Sequence, residues 1–218
     1  MDFICFKVKI GTYEHLKQLQ TEGLVYCNTL NYFTEIEDDF VRGDKHENAY
    51  NFKTFNDSEL LLKPANEPDS SYKKLKVNWG QMVKSNPNPF GNLFCLYCVD
   101  MTDAEEEGQI FVDERNSEFG THALVMLDTI SFEQRLYNEL EKNNFKYHFG
   151  HVNYIDLRNH NGTKTLFQKD AKYKYQNEFR IFIESDSQDP LKFKIGDISN
   201  ITTLVDFDTF RKIKYKRP

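Results

Sequence analysis

The chain opens on a buried-strand pattern, in which Phe3 and Cys5 alternate with Ile4 and Phe6 in a run that ends near Gly11. Thr12 is placed to cap a helix over residues 13–21, with Leu16 and Leu19 on one face and Gly23 set to stop it. Residues 24–27 read as a second short strand. Farther on, residues 49–55 and 59–63 read as a hairpin pair around the turn dipeptide Asn56-Asp57, and 64–71 and 85–91 read as loops. Residues 93–99 form the most apolar strand. Residues 103–108 read as an acidic turn, and a strand then ends at Leu127. Asp128 or Ser131 can cap a helix that carries Phe132, Leu136 and Leu140 at i, i+4 and i+8. The remainder is strand-rich, over residues 152–157, 178–184, 191–195 and 203–205. Helices are thus a minority on mainly β structure, which predicts an α+β fold.

Length and composition narrow this to one domain over residues 1–210 with a basic tail at 211–218. The chain has 218 residues, too few for two domains with ample cores. Its 19 Phe and 12 Tyr imply a core of few, large side chains. The formal net charge is −6, and the tail alone holds five cations, so the body is more acidic still. A surface that coats nucleic acid needs many Lys and Arg to neutralise phosphates, and this chain is not of that kind. The first residues are too short an apolar run for a signal peptide, and no run of about 18 apolar residues could cross a membrane as a helix. A soluble, cytoplasmic protein is expected. Cys5, Cys27, Cys95 and Cys98 sit in apolar strand-like runs, where reduced core thiols are the expectation. Cys95 and Cys98 match C-x-x-C, but residues three apart on a strand face opposite ways and cannot share a metal. None of the six histidines stands at a ligand spacing from another ligand, so no metal is expected.

Two segments carry denser chemistry. One runs from Gly23 through Tyr26, Asn28, Thr29, Tyr32 and Phe33 into an acidic stretch at residues 37–47. The other, residues 167–184, contains Gln176-Asn177-Glu178 followed by Arg180. Together they resemble an uncharacterised bacterial family with a short helix before a Tyr/Asn-bearing strand and a late acidic strand. The late motif resembles the Q-x-E or E-x-E of the ADP-ribosyltransferase superfamily.

That resemblance implies a split β-sheet core with few flanking helices, NAD as substrate, and transfer of ADP-ribose to a protein or nucleic-acid acceptor, in a toxin or phage-defence effector. Breaking the nicotinamide glycosidic bond develops positive charge on the ribose, which a carboxylate beneath the sugar stabilises. Glu178 would be that group. Gln176, on the same strand face two residues away, would serve the acceptor by hydrogen bonding rather than as a base. Lys7, or Lys9, together with Arg180 would hold phosphates. Tyr26, Asn28, Thr29 and Tyr32 would hold the nicotinamide end, and Tyr173 and Tyr175, interleaved with lysines, suit stacking on a base. Glu178→Ala is then expected to stop turnover and leave stability nearly unchanged.

Other readings stay open. Glu178 and Arg180 suit a cross-strand ion pair on a half-buried sheet. The chain also suits a non-catalytic nucleotide-sensing or protein-interaction module. A metal-dependent nuclease would instead use the acidic stretch with Asp38, Arg42, Asp44 and Glu47, which otherwise reads as a solvated loop.

Overall fold

The computed structural model describes residues 5–35, 44, 46–87, 90–101 and 107–216. It opens as strand, helix, strand: β1 (Cys5–Gly11), α1 (Tyr13–Glu22) and β2 (Leu24–Thr29), followed by a short α2 (Leu30–Glu35). Thr12 caps α1 by accepting from the His15 N–H at 3.5 Å, and Gly23 ends it at φ 64°. A Cβ at Gly23 would lie 2.1 Å from the Gly196 carbonyl oxygen, so the turn admits only glycine.

Two long strands come next, β3 (Ala49–Leu62) and β4 (Lys73–Ser85), paired along their length. This corrects the expected hairpin. Asp57 takes a left-handed φ of 44° inside β3 and leaves Asn56 and Ser58 facing Trp79 and Val77, so the chain passes through the Asn56-Asp57 dipeptide without reversing. The reversal falls at the loop between β3 and β4. Beyond it run β5 (Asn92–Asp100), β6 (Glu107–Gln109), β7 (His122–Met126) and α3 (Thr129–Lys142), whose cap is Asp128, accepting from the Ser131 N–H at 2.9 Å. Then come β8 (Tyr147–His151), β9 (Asn153–Ile155), β10 (Gly162–Thr163), β11 (Gln168–Asp170), β12 (Glu178–Ile183), β13 (Leu191–Lys194), β14 (Thr202–Asp206), α4 (Phe207–Phe210) and β15 (Lys214–Lys216). The fold is α+β, mostly antiparallel, with few helices in a single compact domain.

The main sheet runs β13-β2-β5-β1-β7-β14, with β12 and then β8 on the other side of β5. All of its pairings are antiparallel. β12 covers one edge of β5 from Asn92 to Tyr97. On the opposite edge, β1 pairs Cys5–Val8 with Asp100–Tyr97 and then turns to β7, whereas β2 joins only at Leu93 and Asn92. Residues 94–96 of β5 therefore face a gap where β1 and β2 part.

Both faces of the sheet are covered. On one, Leu16 and Leu19 of α1 and Phe132, Leu136 and Leu140 of α3 pack on Phe94, Leu96, Cys98, Phe179 and Ile181. The other is apolar at its two ends, with Val8, Val99, Phe207 and Phe210 at one and Leu30, Leu93 and Phe182 at the other. Glu178 and Arg180 alternate with Phe179 and Ile181 on β12 and so point to this second face.

A further expectation is corrected. Cys5 and Cys98 are not reduced core thiols but are joined as a disulfide, with Cα atoms 6.2 Å apart, while Cys27 and Cys95 remain free. Lys7 faces Cys98 across the β1–β5 pairing, so Cys5, two residues earlier, is its diagonal neighbour on the same face. Within the basic tail, β15 pairs with β6, and Arg211 lies 3.6 Å from Glu114. The acidic turn beginning at Asp103 falls outside the described residues up to position 106.

Candidate active site

A cleft of about 560 Å³ opens where β1 and β2 separate. Lys9 reaches into the gap and donates to the Cys95 carbonyl at 2.6 Å, serving a β5 edge group that has no strand partner there. Its ammonium also lies 4.6 Å from the Phe94 ring centroid. Burial pulls the Lys9 pKa below the ordinary value. Thr12 and His15 at the start of α1 line one wall, and Tyr26, Asn28 and Tyr32 line another. Tyr26 and Tyr32 are partly exposed, and the Lys192 ammonium sits 5.0 Å from the Tyr26 ring centroid.

The cleft floor is a buried ionic network. Glu178 accepts from Lys169 Nζ at 2.7 Å through Oε1 and from Arg180 Nε at 2.7 Å through Oε2. The Arg180 guanidinium also donates to both oxygens of Glu47 and to the Leu166 carbonyl. Lys169 donates in addition to Gln176 Oε1 at 2.6 Å, which ties the two residues of the Q-x-E together. Lys164 lies 3.4 Å from the Glu47 carbonyl. Glu178 is 9% exposed, Lys169 4%, Arg180 2% and Glu47 2%. Burial alone would raise the Glu178 pKa, but Arg180 and Lys169 outweigh it and hold the carboxyl well below the usual range. Glu47 is held down in the same way by Arg180, Lys169 and Lys164. Burial opposes the charge of Lys169 too, yet Glu178 and Glu47 keep its pKa raised. The site therefore presents an ionised carboxylate in a dry setting. Each carboxylate oxygen can accept a second hydrogen bond, and Glu178 lines the cleft.

No family model, curated protein or solved structure matches the chain.

Of the residues singled out in the sequence, Gln176, Glu178, Arg180, Tyr26, Asn28 and Tyr32 line this one cleft. Lys7 does not. Its register opposite Cys98 places it on the face away from Glu178, which stands opposite Tyr97. There Lys7 pairs with Glu133 of α3 and lies 4.0 Å from the Phe179 ring centroid, so Lys9 is the cation that β1 contributes. Thr29 is also turned away, accepting from the Tyr32 N–H at 3.1 Å at the start of α2. Arg180 lines the cleft but is spent on Glu178, Glu47 and Leu166, so it orients carboxylates instead of reaching for phosphate. Gln176 is not on the strand: it closes a 3-10 turn over Ala171–Gln176, and Asn177 at φ 38° re-aims the chain into β12. That turn is pinned by Asn116, which donates to the Tyr175 carbonyl at 2.9 Å. Tyr173 is buried within the turn instead of standing free for stacking. Glu178 and Arg180 do form an ion pair, but within one strand and buried, not across strands on a half-buried sheet.

The pairings of Lys169 with Glu178 and of Glu47 with Arg180 escaped sequence reasoning, as did Lys164 and His15. Lys169 stands nine residues before Glu178 and Glu47 more than a hundred before Arg180, and neither spacing has a local signature. Asp38 and Arg42 of the acidic stretch lie outside the described residues. Of its described members, Glu47 is committed to Arg180, and Asp44 is 1% exposed and accepts from the His46 N–H at 3.0 Å.

The network carries a pH dependence. Carboxylates with depressed folded-state pKa values stabilise fully above the ordinary value of 4.5 and lose that contribution as pH falls from there toward the folded value. Urea unfolding below pH 4.5 is therefore expected to show stability falling by up to ~1.4 kcal/mol per pH unit for each such group. Glu47→Gln should flatten that slope. An unchanged slope would mean that Glu47 titrates alike in the folded and unfolded chain.

Proposed function

We propose that the protein is an ADP-ribosyltransferase-like enzyme that binds NAD in the cleft and transfers ADP-ribose to a protein or nucleic-acid acceptor. The observation that carries this reading is the ionised, buried Glu178 carboxylate on the floor of a cleft that opens between two parting strands. In the reaction, the bond from ribose C1′ to the nicotinamide nitrogen breaks and the electron pair leaves with nicotinamide. An acceptor nucleophile then bonds to C1′ and gives up its proton. Glu178 stabilises the positive charge on the ribose. Tyr26, Asn28 and Tyr32 form the nicotinamide end, and Lys9 and Lys192 supply the cations for the pyrophosphate. Gln176 can orient an acceptor through its amide, with deprotonation left to solvent or to the acceptor itself.

A second reading has its own support. Both Glu178 oxygens are already engaged by Lys169 and Arg180, which suits a nucleotide-sensing module that binds without turnover.

Incubation with NAD separates the two. The enzyme releases nicotinamide, measured by chromatography, and NAD at a hundredfold excess over Kd stabilises the chain by about 2.7 kcal/mol. Stabilisation without nicotinamide, in the presence of protein and nucleic-acid mixtures, would select the sensor. Neither product nor a rise in melting temperature would overturn both.

A further inference from the structure

The disulfide between Cys5 and Cys98 has a third neighbour. Cys5 Sγ, Cys98 Sγ and a ring nitrogen of His151 all lie within 4.8 Å of one another. His151 ends β8 and stands opposite Phe179 on β12, with the two rings 5.1 Å apart in an edge arrangement. β12 begins only at Glu178. His151 stands level with Phe179 and Cys98 one position beyond Tyr97, the partner of Glu178, so their side chains flank the start of β12 on one face. Cys98 is buried, Cys5 half-buried and His151 exposed, so the trio has one wall in the core and one side open to solvent.

We propose that, once the Cys5–Cys98 bridge is reduced, the two thiolates and the His151 imidazole bind one zinc ion, with the fourth position open to water. Two thiolates and an imidazole form the donor set of a three-ligand zinc site. Tetrahedral ligands at ordinary zinc distances lie roughly 3.3–3.8 Å from one another, so the trio needs little movement once the sulfurs are no longer bonded. The neighbouring Lys7 ammonium does not stand uncompensated, because Glu133 pairs with it. In the reducing step, a phosphine and water break the S–S bond, giving two thiols and a phosphine oxide. Zinc then displaces the two thiol protons to solvent, and the imidazole enters neutral. The site borders the Q-x-E turn directly: the Cys98 N–H donates to the Asn177 carbonyl at 2.8 Å, and Asn177 Nδ2 donates to the Cys98 carbonyl at 2.5 Å.

The test uses the full chain, reduced with a phosphine under anaerobic conditions, desalted and titrated with Co²⁺ as a spectroscopic probe. One Co²⁺ per chain is expected, with a thiolate-to-cobalt charge-transfer band that Zn²⁺ abolishes, and no uptake by the oxidised protein. His151→Ala, at an exposed position, should weaken binding at least about tenfold, and Cys5→Ser should abolish the charge-transfer band. Cys95→Ala should leave it intact. The proposal fails if reduced wild type shows no such band, or if Cys5→Ser and His151→Ala take up the metal as wild type does. Circular dichroism of each variant separates loss of a ligand from loss of the fold. None of these readouts depends on NAD.

Discussion

Arg180→Ala is expected to lower folding stability by about 3–5 kcal/mol, the usual cost of removing one partner from a buried ion network. The guanidinium is the only group that touches both Glu178 and Glu47 in the described network, and it is 2% exposed. Without it, two buried carboxylates lose their main counter-charge, and the Leu166 carbonyl loses its donor. For a chain of this length, each kcal/mol moves the melting temperature by about 2–4 °C, so the shift is large enough for a thermal scan. Lys74→Ala is the control: its pair with Glu59 is exposed on both sides and should cost no more than about 0.5 kcal/mol. Similar melting temperatures for the two variants would show that the Arg180 network contributes no more than a surface pair.

Glu178→Gln is expected to cut nicotinamide release by about a hundredfold or more, the loss typical when one electrostatic group aimed at developing charge is removed. The amide keeps the shape and one acceptor oxygen but no charge, so NAD binding should change far less than turnover. The substitution matters, because the structure revises the expectation for alanine. Glu178→Ala would leave Lys169 and Arg180 facing a void and is expected to destabilise the chain, so lost activity in that variant would not isolate catalysis. In Glu178→Gln, Arg180 keeps Glu47 and Lys169 keeps Gln176. A glutamine variant that folds, binds NAD and still releases nicotinamide at the wild-type rate would remove Glu178 from the chemistry.

The local signals held where they were short-range. Thr12 and Gly23 bound α1, and Phe132, Leu136 and Leu140 are the buried stripe of α3, because caps and a 3.6-residue period act within one element. They misled where a turn dipeptide competed with strand pairing. Asn56-Asp57 favours reversal, but pairing on both sides of it, down to Leu62 with Lys73, carried the strand through in unbroken register. Alternation along β12 puts Glu178 and Arg180 on one face, but it does not reach Gln176, because the strand starts two residues later, after a left-handed Asn177.

What the sequence by itself determined was the alternation of β12, the two ends of α1, the α+β balance, and which short segments hold unusual chemistry. All of these follow from interactions between residues a few positions apart. Tertiary structure alone decided which face of the sheet each cation serves: pairing β1 to β5 in its register sent Lys7 to α3 and left Lys9 in the gap. It also brought Lys169, Glu47 and Arg180 around one carboxylate, and Cys5, Cys98 and His151 around one point. Registers and strand ends are settled by packing across the whole sheet, so no window along the chain contains them.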